Sequence, residues 1–204
     1  MFKKFASDAL GLSDIGKIIP PSEYDKVDSD DYVFHEDGEK IFFLIKSKQD
    51  EYCFTNRAFI HVDGNSAINT KRVLKRYEYY KYPISHVYLE TAGNIDLDVE
   101  IQFYIGDSKI SIDVDKKQIN QLKDLYKALY TISLSVGENE NKLSDRFESL
   151  QKSIQVIGGA RGESLKKAEE LSQINDYVYA WISESRKNYI KKDFSDIFIR
   201  YLEK

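Results

Sequence analysis

The sequence predicts an α+β fold: seven short antiparallel strands forming a sandwich or barrel, one capping helix, and a helical hairpin behind it. Three observations carry this. Apolar residues recur at a period of two from about Lys40 to Val114, as strands with one buried face require. The connections between those runs are short and rich in Gly, Asn, Asp and Pro, which suits hairpins and not crossovers. From Asp115 onward the period becomes 3.6, the spacing of a helix face.

Before the strands, Phe2, Phe5, Ala6, Ala9 and Leu10 share one face of a short helix within Phe2–Ile15, which Pro20-Pro21 ends. Ser22–Glu39 holds eight acids and one lysine and reads as a surface helix and loop anchored by Tyr24, Val27 and Val33. The strands follow as Ile41–Lys48, Glu51–Thr55, Ala58–Asp63, Lys71–Tyr80, Ile84–Thr91, Asp96–Ile105 and a last run through Ile110, Ile112 and Val114. Asp115 is placed to cap the next helix by accepting from free backbone N–H groups. Ile119, Leu122, Leu125, Tyr126, Leu129 and Ile132 stripe that helix, which is expected to end near Gly137. Leu122, Leu125 and Leu129 are expected to cover Val99, Ile101 and Phe103.

The boundary then falls between a domain over residues 1–136 and an extension over 137–204. In the extension Leu143, Phe147, Leu150 and Ile154 follow the alternating spacing of a coiled-coil seam. Gly158-Gly159 and Gly162 supply a turn, and Leu171, Ile174, Val178 and Trp181 form a matching seam on the returning helix. Phe194, Ile197, Phe198, Tyr201 and Leu202 stripe a short last helix. So few helices cannot bury that much apolar surface alone, so they are expected to dock on the first domain or on another chain.

Composition narrows the class. With 42% hydrophobic and 31% charged residues over 204 positions, the chain reads as soluble and folded. A net charge of −4 argues against general nucleic-acid binding. One cysteine, Cys53, excludes an internal disulfide framework. No apolar run reaches the roughly 18 residues of a membrane span, and FKKFASDALGLSD is too acidic and polar for a secretory signal. A cytoplasmic protein is expected.

Several strings resemble a known family. FASDALGLSDIG, YDKVDSDDYVFHEDGEKIFFLIKSKQDEYCFTNRAFIHVDG, PISHVYLETAGNIDLDVEIQFYIG and SIDVDKKQINQLKDLYKAL are similar to the bacterial pleckstrin-homology-like domain family. The region after Asn139 resembles the helical extension linked to oligomerisation in some members. The resemblance implies a seven-stranded pleckstrin-homology barrel capped by one helix, and self-assembly into ring-like oligomers. It implies no particular activity. Inositol-lipid-binding members carry a Lys-x(n)-Lys/Arg-x-Arg pattern across the first two strands. Here IKSKQDEYCFTNR keeps Lys46 and Lys48 but fills the turn with Gln49, Asp50 and Glu51. Inositol-lipid recognition is therefore not expected.

No site chemistry stands out. Gly11 to Ile18 approaches a phosphate loop but lacks the hydroxyl that holds magnesium. Asp28, Asp30 and Asp31 fail the calcium-loop pattern, because Val33 stands where the turn glycine belongs. His35, His61 and His86 have no partner at ligand spacing, and Cys53 reads as a small buried hydrophobe. No catalytic residue, metal site or cofactor is expected.

The sharpest local signal is basic: Lys71, Arg72, Lys75, Arg76 and Lys81, interleaved with tyrosines. On a strand these charges split between two faces, which suits a lysine-protected edge or a protein interface. Pairing head-to-tail with the acids of Glu23–Glu39 on another copy is one expectation, provided the two patches are not already paired within one chain. The function expected is a non-enzymatic, self-associating interaction module with protein partners beyond itself. The alternative is a membrane-surface adaptor that binds anionic lipid through the basic strand and the N-terminal helix.

Overall fold

The computed structural model describes residues 15–64, 72–91, 98–158 and 167–203. The helix expected within Phe2–Ile15 and the glycines of the Gly159–Gly162 turn lie outside the described residues. The described chain forms two compact units. One holds the residues up to Leu134 together with those from Lys192 onward, and the other is Ser135–Lys191.

Among the described residues the first unit has eight strands: β1 (Lys17–Ile18), β2 (Ile41–Lys46), β3 (Glu51–Thr55), β4 (Ala58–Asp63), β5 (Val73–Glu78), β6 (Ile84–Glu90), β7 (Asp98–Ile105) and β8 (Ser108–Asp115). They build a five-stranded sheet in the order β1-β2-β3-β4-β5 and a three-stranded sheet in the order β6-β7-β8. Both are antiparallel, each strand pairing with its neighbour in sequence. Two expectations are corrected here. Among the described residues there are eight strands and not seven, because β1 is too short to show any alternation. The sheets also do not close into a barrel, since among the described residues β5 and β6 do not pair.

The seam between the sheets depends on a glycine. Gly16 forms a parallel bridge with Val114, its N–H donating to the Asp113 carbonyl at 2.8 Å while Asp115 N–H donates back at 3.0 Å. A Cβ at Gly16 would stand 2.7 Å from Ile45 Cγ2 and 2.9 Å from the Asp113 carbonyl oxygen. No larger residue fits between the sheets. The Gln118 side chain fixes β1 further: it accepts from Ile18 N–H at 2.8 Å and donates to the Ile18 carbonyl at 3.2 Å. On the open side, the Tyr77 and Ser108 hydroxyls meet at 3.1 Å.

Inward residues of both sheets form the core. Phe54, Phe59 and Phe103 meet at its centre with ring centroids 5.0–6.1 Å apart. Ser22–Glu39 is a chain of 3-10 turns whose Val27 and Val33 are buried with Leu44, Cys53 and Ile60. Asp115 caps as expected, accepting from Lys117 N–H at 2.9 Å. Helix α1 (Ile119–Gly158) follows, with Leu122, Leu125, Ala128, Leu129 and Ile132 fully buried. Val99, Ile101 and Phe103 are buried too.

α1 does not end near Gly137, which corrects that expectation. An interior glycine costs a helix about 1 kcal/mol relative to alanine, too little to break it without a proline. The second unit thus contains the C-terminal part of α1 and helix α2 (Lys167–Tyr189). The short helix α3 (Ser195–Leu202) belongs to the first unit. Phe194 N–H donates to the Asn56 carbonyl at 2.8 Å, and the Asn56 amide donates to Asp193 at 2.7 Å. Phe198 stacks on Phe42 at 5.3 Å, and Phe194 meets the buried Tyr79 ring edge-on at 5.7 Å.

Candidate functional site

Two regions hold the residues singled out by the sequence: the basic edge strand β5 and the helices of the second unit. Lys71 lies outside the described residues. β5 is the edge of its sheet, and its alternation sends Arg72 and Arg76 to one face and Lys75 to the other.

On the Arg72 and Arg76 face stands the acidic segment of the same chain. Arg72 pairs with Asp28. Arg76 Nη2 donates to both carboxylate oxygens of Glu39, at 3.0 and 3.1 Å, and its guanidinium lies 4.6 Å from the Phe34 ring centre. Glu39 is fully buried and also accepts from the Thr55 hydroxyl and from Phe34 N–H. On the other face Lys75 approaches Asp63 at 3.8 Å. At the strand's end Lys81 pairs with Glu78 at 2.7 Å and lies over the Tyr80 ring. The Lys81 hydrogen bond, outweighing burial, holds the Glu78 carboxyl below its ordinary pKa.

The premise for head-to-tail charge pairing between copies therefore does not hold for the two arginines. The acids of residues 28 and 39 are folded onto the basic strand of their own chain. These contacts clamp the 3-10 segment to the sheet.

A second buried pair lies across the β2–β3 turn. Lys46 is bound to Glu51, and both are almost wholly buried. Glu51 also accepts from Ser29 N–H at 2.7 Å and from Asp28 N–H at 3.2 Å. Sequence reasoning placed Glu51 where the turn after Lys48 meets the strand Glu51–Thr55. Its role as anchor for two backbone amides had no local signal, because the donors lie more than twenty residues away.

The remaining candidates stay structural. Cys53 is fully buried, and desolvation pushes its thiol well above the ordinary value. It stays a protonated thiol and not a nucleophile. His35 meets Asp30 at 2.9 Å and His61 meets Asp50 at 3.1 Å. Among the described residues, no cluster of His, Cys, Asp and Glu has the arrangement of a metal site. Nor is any described helix long and apolar enough to cross a membrane.

In the second unit, Leu143, Phe147 and Leu150 of α1 are only half-buried, as are Val178 and Trp181 of α2. Ile174 is 39% exposed, and Tyr177 and Tyr179 are 69% and 74% exposed. The side chains of Ile154 and Leu171 lie outside the described residues. The Arg146 guanidinium links the two helices, 5.3 Å from the Trp181 ring and 5.0 Å from the Tyr189 ring. Neither Arg146 nor Tyr189 was singled out from the sequence, since a cation between two aromatics leaves no periodic trace.

Comparison with known proteins assigns both regions. The family model described as bacterial PH domain matches residues 9–133, and the one described as YvbH-like oligomerisation region matches residues 147–203. The protein YvbH of Bacillus subtilis (strain 168) is 52% identical over 202 residues, covering 99% of each chain. The crystal structure of a PH domain-containing bacterial protein from Exiguobacterium sibiricum 255-15 is similar at a TM-score of 0.84. It has 47% sequence identity and covers 92% of this chain and 99% of that one.

Proposed function

This chain belongs to the bacterial PH domain family, and from that premise we propose that it is a non-enzymatic scaffold that self-associates into a higher-order, ring-like homo-oligomer. The observation that carries the reading is the exposure of the helices matched to the oligomerisation region. Their apolar positions Phe147, Leu150, Ile174, Val178 and Trp181 are half-buried or exposed in a single copy, as is Leu143 just before the matched region. Water-facing apolar seams of this extent are covered in stable proteins by another surface, and in this reading a second copy supplies it. In this reading the Arg146 clasp holds α1 and α2 as an antiparallel hairpin that presents the seam, and heterologous contacts close a ring. The sheets and loops of the first unit, repeated around the assembly, then offer protein partners a multivalent surface.

The alternative of an adaptor on anionic membranes draws less support. Arg72 and Arg76, on which it relied, are already bound to Asp28 and Glu39.

Light scattering coupled to size exclusion tests the proposal. The full chain should run at several times the mass of one copy. Phe147→Glu with Val178→Glu should reduce that mass while the circular dichroism of the first unit persists. A full-length protein of single-chain mass at micromolar concentration would refute it.

A further inference from the structure

The outer face of the β6-β7-β8 sheet carries a half-open groove of about 620 Å³, walled by Tyr88 and Tyr104 with Gln102 beside them. A β-bulge opens it. Ser85 stands opposite Tyr104 and Tyr88 opposite Gln102, so His86 and Val87 together oppose Phe103. The bulge keeps Val87 in the core and turns His86 outward, at a φ of 49°. The His86 ring meets the Tyr104 ring edge-on at 5.6 Å. Tyr88 and Tyr104 are both exposed.

Away from the groove the same face turns acidic. Glu90, Glu100 and Asp113 stand in register across the three strands, and Asp98 faces Asp115 in the next row. Like charges directly opposite one another destabilise a sheet. Partial burial, and after it the charges of Glu100 and Asp98, push the Asp113 carboxyl above its ordinary pKa. Lys109 lies at the other end of the face, opposite Tyr104. The acidic rows thus gain from cations brought by a neighbour.

Helix α1 carries the complement. Lys123, Lys127, Tyr130 and Leu134 recur at spacings of four, three and four, which sets them on one side of the helix, and all four are exposed. Lys127 meets Asp124 at 2.9 Å and still keeps half its side chain in solvent. Tyr130 stacks on Tyr126 at 6.2 Å. At about 1.5 Å per residue, Lys123 stands about 10 Å before Tyr130 on the helix. At about 3.3 Å per residue, Glu100 stands about 13 Å from Tyr104 on β7. The step from cation to aromatic on the helix therefore matches the step from acid to aromatic on the sheet.

The two surfaces back onto one core. Leu122, Leu125 and Leu129 are buried on the opposite side of α1, and Val99, Ile101 and Phe103 are buried on the opposite side of β7. Each surface points away from that core, so the two cannot meet within one copy. Complementary patches of this kind join head-to-tail between copies. Resting on the self-association set out above, we propose that the occupant of the groove is a second copy of this chain. Tyr130 and Leu134 of one copy seat against Tyr88 and Tyr104 of the next, and Lys123 and Lys127 lie over Glu100 and Asp113. Burial of the rings and the leucine holds the contact, and the charges orient it.

Two experiments on the full chain test this. In the first, Lys123→Glu with Lys127→Glu, and separately Glu100→Lys with Asp113→Lys, should each lower the assembly mass at least about twofold in light scattering at micromolar concentration. A chain carrying all four changes should recover the wild-type mass, because both sides of the contact are reversed. Wild-type mass in both reversed proteins overturns this contact and leaves self-association standing. A fourfold variant that stays small overturns it too. A single-chain mass for the wild type overturns self-association, and this contact with it. Because Glu100→Lys also breaks the bond from the Ser111 hydroxyl, the second experiment leaves the charges in place. Tyr104→Cys and Tyr130→Cys are combined in one chain, whose native thiol Cys53 is buried and does not compete. Mild oxidation should give a ladder of disulfide-linked chains on a denaturing gel, at least about tenfold faster than Leu74→Cys combined with Tyr130→Cys. Equal rates overturn the proposal, and so does an intrachain product.

Discussion

Arg76 grips Glu39 through one nitrogen shared between both carboxylate oxygens, and Glu39 has no solvent exposure of its own. A surface pair of arginine and glutamate contributes about 0–1 kcal/mol. Here removing one partner leaves a buried charge uncompensated, which costs about 3–5 kcal/mol. Arg76→Met should therefore lower the unfolding free energy by roughly that amount. Arg76→Met combined with Glu39→Gln should recover part of the loss, read as a coupling term in a double-mutant cycle. A loss of only a few tenths of a kcal/mol for Arg76→Met would return the pair to the surface class.

Charge reversal of Arg72, Lys75 and Arg76 consequently tests stability before it tests assembly. The triple Glu variant should shift the denaturant midpoint of the first unit downward. The folded fraction should keep its assembly mass, because Arg72 and Arg76 already serve their own chain. A large fall in mass with an unchanged midpoint would restore the basic strand to an intermolecular role.

Leu125 is fully buried on the face that α1 turns to the core. Leu125→Ala should cost about 2–5 kcal/mol, the range for a buried leucine that leaves a cavity. A cost under about 1 kcal/mol in denaturant unfolding would show that α1 does not plug the sheets.

Phe198 of α3 is fully buried and stacked on Phe42. Phe198→Ala should cost about 3–5 kcal/mol. Cutting the chain after Lys191 should destabilise the first unit at least as much, since Phe194 goes too. A truncation that removes everything after Gly137 thus confounds assembly with folding, and point substitutions in the seam are the cleaner probe. Unchanged thermal stability of the chain ending at Lys191 would show that α3 is dispensable.

Two aspartates should titrate with opposite effects on stability. The Asp113 carboxyl is raised by burial and by the Glu100 and Asp98 charges. The folded state therefore holds the proton more tightly than the unfolded one. Stability falls as pH rises from the ordinary carboxylate range through the raised folded value. Asp113→Asn should remove that decline and stabilise the protein at neutral pH relative to wild type. For Asp193, burial alone would raise the pKa, but hydrogen bonds from the Ser195 hydroxyl and amide and from Asn56, with the Arg57 charge, hold it low. Its contribution is present above the ordinary carboxylate range and is lost as pH falls through the depressed folded value. Unfolding midpoints of Asp113→Asn and Asp193→Asn between pH 2 and pH 7 check both signs.

What the sequence displayed was periodic, and what it concealed was paired. Val99 to Ile105 announces β7 because alternate residues must point inward, and Leu122, Leu125 and Leu129 announce α1 for the corresponding helical reason. β1 has only two residues and no period to read, yet Gly16 and Gln118 fix it through contacts far away in sequence. Gly137 looked like a helix end because glycine weakens helices, but the flanking residues tolerate the helix and carry it through. Arg72 and Arg76 were visible as an edge strand. That Asp28 and Glu39 would receive them was not, since ion pairs between distant segments follow from the way the sheet folds and not from local spacing.

The path of the chain has a consequence for how this protein is made. The ribosome completes both sheets and the first turns of α1 well before it reaches α3. Phe42 and Tyr79 nevertheless gain their partners only when Phe194 and Phe198 arrive. Until then a nascent first unit carries an open aromatic patch, of the kind chaperones and proteases recognise. A first unit that matures only after residues 135–191 have been synthesised is never displayed in finished form without them. Translation that stops short of Phe194 leaves Phe42 and Tyr79 without the rings that cover them in the full chain.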